Sequence, residues 1–211
     1  RPVIFWDVDK QHDFMDPDGA LYGKGAELLK PKLAQLTQYA HAHGIQIVAS
    51  SDDHQLEHAE ISATPDYKET FPPHCMRGTQ GAEKIPETAL VRPLVIEPDP
   101  IPHEMLVRQL SSHEGDVLLR KHRFDVFSNP NTGTVIEAWD PTEIVIYGVT
   151  LDYCVKYALD GLIDVGIPTI HLVLDATKPI NESAVDGLVG GWVKQDVRIV
   201  SADDVMCGRI V

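Results

Sequence analysis

A mainly parallel β-sheet covered by helices on both faces, an α/β architecture, is the fold class this chain predicts. Two observations carry that prediction. Short apolar runs recur along the 211 residues, each bounded by Gly, Pro or charged side chains, as buried strands are. Between them lie segments whose apolar residues return at helical spacing.

Val3-Ile-Phe-Trp6 reads as the first buried strand and ends in the acidic run Asp7-Val-Asp9. Leu29, Leu33, Leu36 and Ala40 mark a helix that Gly44 stops. Ile45–Ala49 is the second strand. Ser51 to about Glu87 is a long polar stretch rich in His, Asp, Pro and Gly, which reads as a functional loop or a disordered one. The segment Arg92–Glu114 holds Pro93, Pro98, Pro100 and Pro102 and matches no element. It is read as a pocket cover or as a subunit contact in a homo-oligomer. Val117–Leu119 is a strand ending at Arg120-Lys121, and residues 133–139 form a short helix before the strand Ile144–Tyr147. Val155, Leu159, Leu162 and Ile163 define a helix that stops at Gly166. A strand at Ile167–Leu174, a helix near Glu182–Val193 and a strand at Val197–Val200 complete the pattern. No linker or repeat divides the chain, so one domain spanning 1–211 is expected.

Composition narrows the class. Hydrophobic residues make up 43% and charged residues 24%, as in soluble globular proteins. A formal net charge of -14 disfavours nucleic acid and anionic membrane surfaces as partners. No apolar run approaches the length of a membrane span, and no signal-peptide pattern opens the sequence. Cys75, Cys154 and Cys207 cannot all pair with one another. That fits a reducing compartment, and a cytoplasmic location is expected.

Parallel sheets gather ligands at the carboxyl ends of their strands. Asp9, Asp52, Lys121 and Cys154 all follow predicted strands. Cys154 falls where a strand turns into a helix, and a helix N-terminus favours the thiolate. By itself the residue reads first as an apolar core cysteine. A nucleophilic thiol needs a base, and the base needs a partner. Asp9 and Lys121 can fill those places, or form an ordinary strand-end salt bridge. Asp52-Asp53-His54, His58 and His74 put a carboxylate and several imidazoles in one polar loop, a donor set suited to zinc, iron or manganese or simply to solvent.

Three segments together resemble the isochorismatase-like cysteine hydrolases, in particular the nicotinamidase and pyrazinamidase branch. They are Asp9-Lys-Gln-His-Asp-Phe14, Lys121 ahead of Phe124 and Phe127, and Gly148-Val-Thr-Leu-Asp-Tyr-Cys-Val155. They occur in the family's order and cover most of the chain. The resemblance implies a three-layer α/β/α sandwich and a catalytic triad of Asp9, Lys121 and Cys154. It implies a cis peptide at Val149–Thr150 that aims the Thr150 N–H, together with that of Cys154, into an oxyanion hole. Loss of such an element costs about 10²–10³ in rate.

Asp52, His54 and His74 are similar to the branch's metal ligands, with His58 matching a further loop histidine that some members add. The implied cofactor is a divalent metal, zinc first and iron or manganese otherwise. The implied substrate is a small amide, nicotinamide first, held through its ring nitrogen, with Phe14, Phe71 and Tyr153 as pocket walls. Cys75 is read as structural. Asp53 departs from the aromatic residue common in relatives. Asp152, Asp160 and Asp164 read as a solvated helix face, and the remaining histidines receive no role. Two other functions stay open: hydrolysis of another amide or a carbamoyl compound, and a noncatalytic interaction module on the same fold.

Overall fold

A computed structural model describes residues 1–209. Seven strands form one sheet in the order β3-β4-β2-β1-β5-β6-β7, and every pairing is parallel. The strands are β1 Val3–Val8, β2 Gln46–Asp52, β3 Leu94–Ile96, β4 Val117–Lys121, β5 Glu143–Val149, β6 Thr169–Lys178 and β7 Arg198–Val200. The helices are α1 His12–Met15, α2 Lys30–Ala42, α3 His103–Ser112, α4 Thr132–Trp139, α5 Lys156–Asp164, α6 Val185–Val193 and α7 Ala202–Met206.

Central strands are apolar on both sides because helices cover both faces. Ile4, Trp6 and Val8 pack with residues of α3, α4, α5 and α6, including Leu110, Val135, Leu159 and Trp192. Phe5 points the other way, toward Leu33, Leu36 and Ala40 of α2 and Val205 of α7. The three-layer sandwich and the mainly parallel sheet therefore stand. Among the described residues, no helix is long and apolar enough to cross a membrane.

Several expectations need correction. The segment 92–114 holds the edge strand β3 and the helix α3, whose Leu106 and Leu110 are buried in the core. Its prolines flank these elements instead of interrupting them. Asp152 and Asp160 are not a merely solvated face: Asp152 accepts the N–H groups of Ile180 and Asn181, each at 2.9 Å, and Asp160 accepts Trp192 Nε1 at 2.8 Å. His171 is fully buried, with Nε2 2.5 Å from Glu143.

Strand order reverses between β1 and β5, where open α/β sheets place their ligands. Gly148 permits the close approach of these two strands. Its φ is +129°, and a Cβ there would sit 2.2 Å from the Val8 carbonyl oxygen.

Candidate active site

Asp9 follows β1 with φ +46°, a left-handed conformation uncommon for a residue with a Cβ. Its N–H donates to the Ser50 carbonyl at 3.3 Å, and its Oδ1 accepts the Ser50 hydroxyl at 2.6 Å. Lys121 ends β4 and is almost wholly buried. Its Nζ lies 2.8 Å from Asp9 Oδ2 and donates to Asp52 Oδ1 at 2.5 Å and to the Arg123 carbonyl at 3.0 Å. Cys154 Sγ stands 3.7 Å from the same nitrogen. Asp9, Lys121 and Cys154 thus meet at one point.

The local electrostatics bear on proton movement. Burial disfavours charge on Lys121, but Asp52 and Asp9 outweigh it and hold the ammonium well above its ordinary pKa. Burial, followed by the Asp9 charge, pushes the Cys154 thiol well up. Burial also raises Asp9, with Asp52 adding to it and Lys121 opposing. The expected helix-dipole activation of the thiol is therefore not what dominates. Cys154 lies inside a π-helical turn, Leu151–Val155, that precedes α5. Asp9 is the carboxylate adjacent to this thiol. The Val149–Thr150 peptide is cis, and Thr150 lines the same pocket as Cys154.

Beside the triad, Asp52, His54, Glu60 and His74 each offer a ligand atom, all within 4.8 Å of one another and all on buried residues. Asp52 Oδ2 lies 3.5 Å from Nε2 of both His54 and His74. The His74 Nδ1–H donates to the Pro72 carbonyl at 2.8 Å, which leaves the Nε2 lone pair facing the cluster. Both ring nitrogens of His54 and Oε2 of Glu60 are buried without a hydrogen-bond partner. Such orphaned atoms are costly unless something binds them. Two imidazoles and two carboxylates match zinc, iron or manganese, so the residues fit a divalent metal. Burial disfavours the Asp52 carboxylate, yet Lys121 and the two histidines hold it well below the usual range. Burial, with Asp52 beside it, pushes Glu60 up to about 8.

His58 does not join this group. Its Nδ1 accepts the Gln55 N–H at 3.1 Å, and its ring stacks on His122 with centroids 3.9 Å apart. Glu60 stands in its place, and no sequence signal pointed to it. Asp53 turns away toward Arg77, which donates to it through Nε at 2.9 Å. Cys75 is buried, outside the ligand group, and burial pushes its thiol well up.

The first motif does more than supply Asp9. The Gln11 amide donates to the Asp52 carbonyl and accepts the Asp52 N–H, both at 2.7 Å, fixing that residue's backbone. Asp13 accepts the Cys75 N–H at 2.7 Å and so anchors the loop beside His74. Gly81 makes room for Asp13, since a Cβ there would lie 2.2 Å from Asp13 Oδ2.

Phe14, Phe71 and Tyr153 all line a pocket that also reaches Cys154, Thr150, Glu60 and His74. It holds about 360 Å³ of empty space, its open mouth included. Phe124, expected only as part of the lysine loop, is another wall and packs edge-on against Phe71 at 5.5 Å.

This pocket and sheet belong to a hydrolase class. The Isochorismatase domain model matches residues 4–191, so the chain belongs to the isochorismatase family. Within that family it is similar to nicotinamidases. It is 25% identical to the nicotinamidase of Saccharomyces cerevisiae over 219 residues, covering 90% of this chain and 93% of the relative. It is 24% identical to a probable inactive nicotinamidase of Arabidopsis thaliana over 172 residues, covering 81% and 77% of the two chains. The pyrazinamidase of Pyrococcus horikoshii, solved in complex with zinc, superposes with a TM-score of 0.73 at 22% identity, covering 95% of this chain and 99% of that one.

Proposed function

We propose that this protein is a metal-containing cysteine amidohydrolase that converts nicotinamide to nicotinate and ammonia. One observation carries the reading: Cys154 and three members of the donor set, Asp52, Glu60 and His74, line one aromatic-walled pocket, with His54 completing the set behind them. Aromatic side chains of Phe14, Phe71, Phe124 and Tyr153 wall the pocket, which suits a flat ring. Similarity to the yeast enzyme supports the substrate, and the zinc held by the Pyrococcus relative supports the metal.

Asp9 takes the proton of Cys154, and the thiolate attacks the amide carbon. The N–H groups of Thr150 and Cys154 receive the developing oxyanion. Asp9 passes its proton to the nitrogen, ammonia leaves, and a thioester remains on Cys154. Asp9 then takes a proton from water. The hydroxide attacks the thioester carbon, nicotinate departs, and Asp9 returns the proton to sulfur. Lys121 stays charged throughout and holds Asp9 in place. Asp52, His54, Glu60 and His74 would hold a divalent metal, which when bound would supply a Lewis-acid contact for a ring nitrogen. Phe14, Phe71 and Tyr153 clamp the ring faces and exclude water.

A second reading, another amide or a carbamoyl compound, is favoured by the outer cavity. Leu21, Tyr153 and Ile180 are shared between the inner pocket and an outer one that Lys24 and Lys178 also line. Ammonia release from nicotinamide, pyrazinamide and N-carbamoyl amino acids, measured alongside metal content, decides between the two. Nicotinamide as the best substrate of a metal-bearing protein supports the first reading; a carbamoyl substrate turned over without metal supports the second. A noncatalytic module is the third reading, and one relative in Arabidopsis thaliana is a probable inactive nicotinamidase. Inertness of Cys154 toward iodoacetamide would favour it.

A further inference from the structure

We propose that Ser50 is a positioning residue that assigns the two oxygens of Asp9 separate tasks. The inference rests on Asp9 being the base for Cys154. Ser50 is 1% exposed and holds Asp9 twice: its carbonyl accepts the Asp9 N–H at 3.3 Å, and its hydroxyl donates to Oδ1 at 2.6 Å. The first contact secures a backbone at φ +46°. The second occupies one carboxylate oxygen.

The other oxygen is treated differently. Lys121 Nζ sits 2.8 Å from Oδ2, close enough for ion pairing. Yet its directed hydrogen bonds go to Asp52 Oδ1, the Arg123 carbonyl and Cys154 Sγ. Oδ2 is buried with no well-directed donor. Oδ1 is therefore committed to the serine hydroxyl, and Oδ2 is the oxygen left to receive a proton from sulfur. Without the hydroxyl, Oδ1 becomes a buried acceptor with no donor, and the carboxylate turns toward the lysine to find one. That rotation takes Oδ2 off the line to Cys154, and a proton acceptor out of line loses much of its effect.

The test compares Ser50→Ala with Ser50→Thr, which keeps the hydroxyl. The first readout is steady-state ammonia release from nicotinamide. The second is the alkylation rate of Cys154 by iodoacetamide, which needs no substrate. Ser50→Ala should lower kcat about 10–100-fold with KM changed less than about 3-fold, a share of what a positioned base supplies. Its alkylation rate should fall by a similar factor. Ser50→Thr should stay within about 5-fold of the wild type in both. The proposal fails if Ser50→Ala keeps both rates within about 2-fold, or if Ser50→Thr falls as far as Ser50→Ala. Should the wild type release no ammonia from nicotinamide, the proposed substrate is wrong and the alkylation comparison alone decides the role of Ser50.

Discussion

Asp52 and Lys121 are register partners at the ends of β2 and β4, and the lysine Nζ reaches the carboxylate at 2.5 Å. One carboxylate therefore serves two groups: Oδ1 holds Lys121 while Oδ2 faces His54 and His74. Removing the lysine leaves Asp9 and Asp52 as uncompensated buried charges. Lys121→Met should lower stability to urea by about 3–5 kcal/mol and abolish hydrolysis. A variant that unfolds at the wild-type urea midpoint would contradict this pairing.

Glu60, rather than His58, belongs to the donor set. Glu60→Ala should weaken zinc binding by at least about 10-fold, since it removes a direct ligand, whereas His58→Ala should change it less than about 3-fold. Competition with a chromophoric chelator gives both affinities. The reverse ranking would show that His58 swings in to bind the metal.

Asp13 acts at a distance by anchoring the Cys75 N–H. Asp13→Ala should cost about 1–3 kcal/mol and weaken zinc binding, although Asp13 touches no ligand side chain. Gly81→Ala, which pushes a methyl into Asp13, should reproduce both effects. Thermal unfolding with and without added zinc reads them together.

Lys10 gives a pH signature away from the chemistry. It is fully buried, 3.1 Å from Asp7 and 3.8 Å from the centre of the Tyr147 ring, with Lys84 on the other Asp7 oxygen at 2.9 Å. Burial lowers its pKa from 10.5 to about 7, against the pull of Asp7. Between those values the unfolded chain holds the proton and the folded chain does not, so this group makes stability rise with pH across that window. Burial keeps the Tyr147 hydroxyl well above it. Lys10→Met should remove up to about 1.4 kcal/mol of that rise per pH unit, measured by urea unfolding from pH 6 to 9. An unchanged slope would mean that Lys10 titrates normally.

How much could be read beforehand follows from where the information lies. The runs Ile4–Trp6, Ile144–Tyr147 and Ile170–Val173 are buried strand segments, and apolar patterning reports such elements directly. Asp9, Lys121 and Cys154 sit beside strand ends, so reading the strands brought them together. Glu60 was invisible because it lies in the irregular segment between β2 and β3. There the path is set by single contacts, such as the Phe71 N–H to the Glu60 carbonyl at 2.7 Å. His58 fitted the ligand chemistry as well as Glu60 did, and what separates them is the Gln55 N–H that His58 accepts and its packing against His122. The upward shift of the Cys154 thiol was equally hidden. A helix terminus can be read from sequence, but burial beside Asp9 cannot.

The central claim is that Cys154 attacks a ring carboxamide with Asp9 as its base. Ammonia release from nicotinamide by the zinc-loaded protein, compared with its Cys154→Ala variant, tests it most directly. The wild type should turn nicotinamide over, and the variant should lose at least about 10³-fold, as when a nucleophile is removed. Ammonia release by Cys154→Ala at the wild-type rate would contradict it.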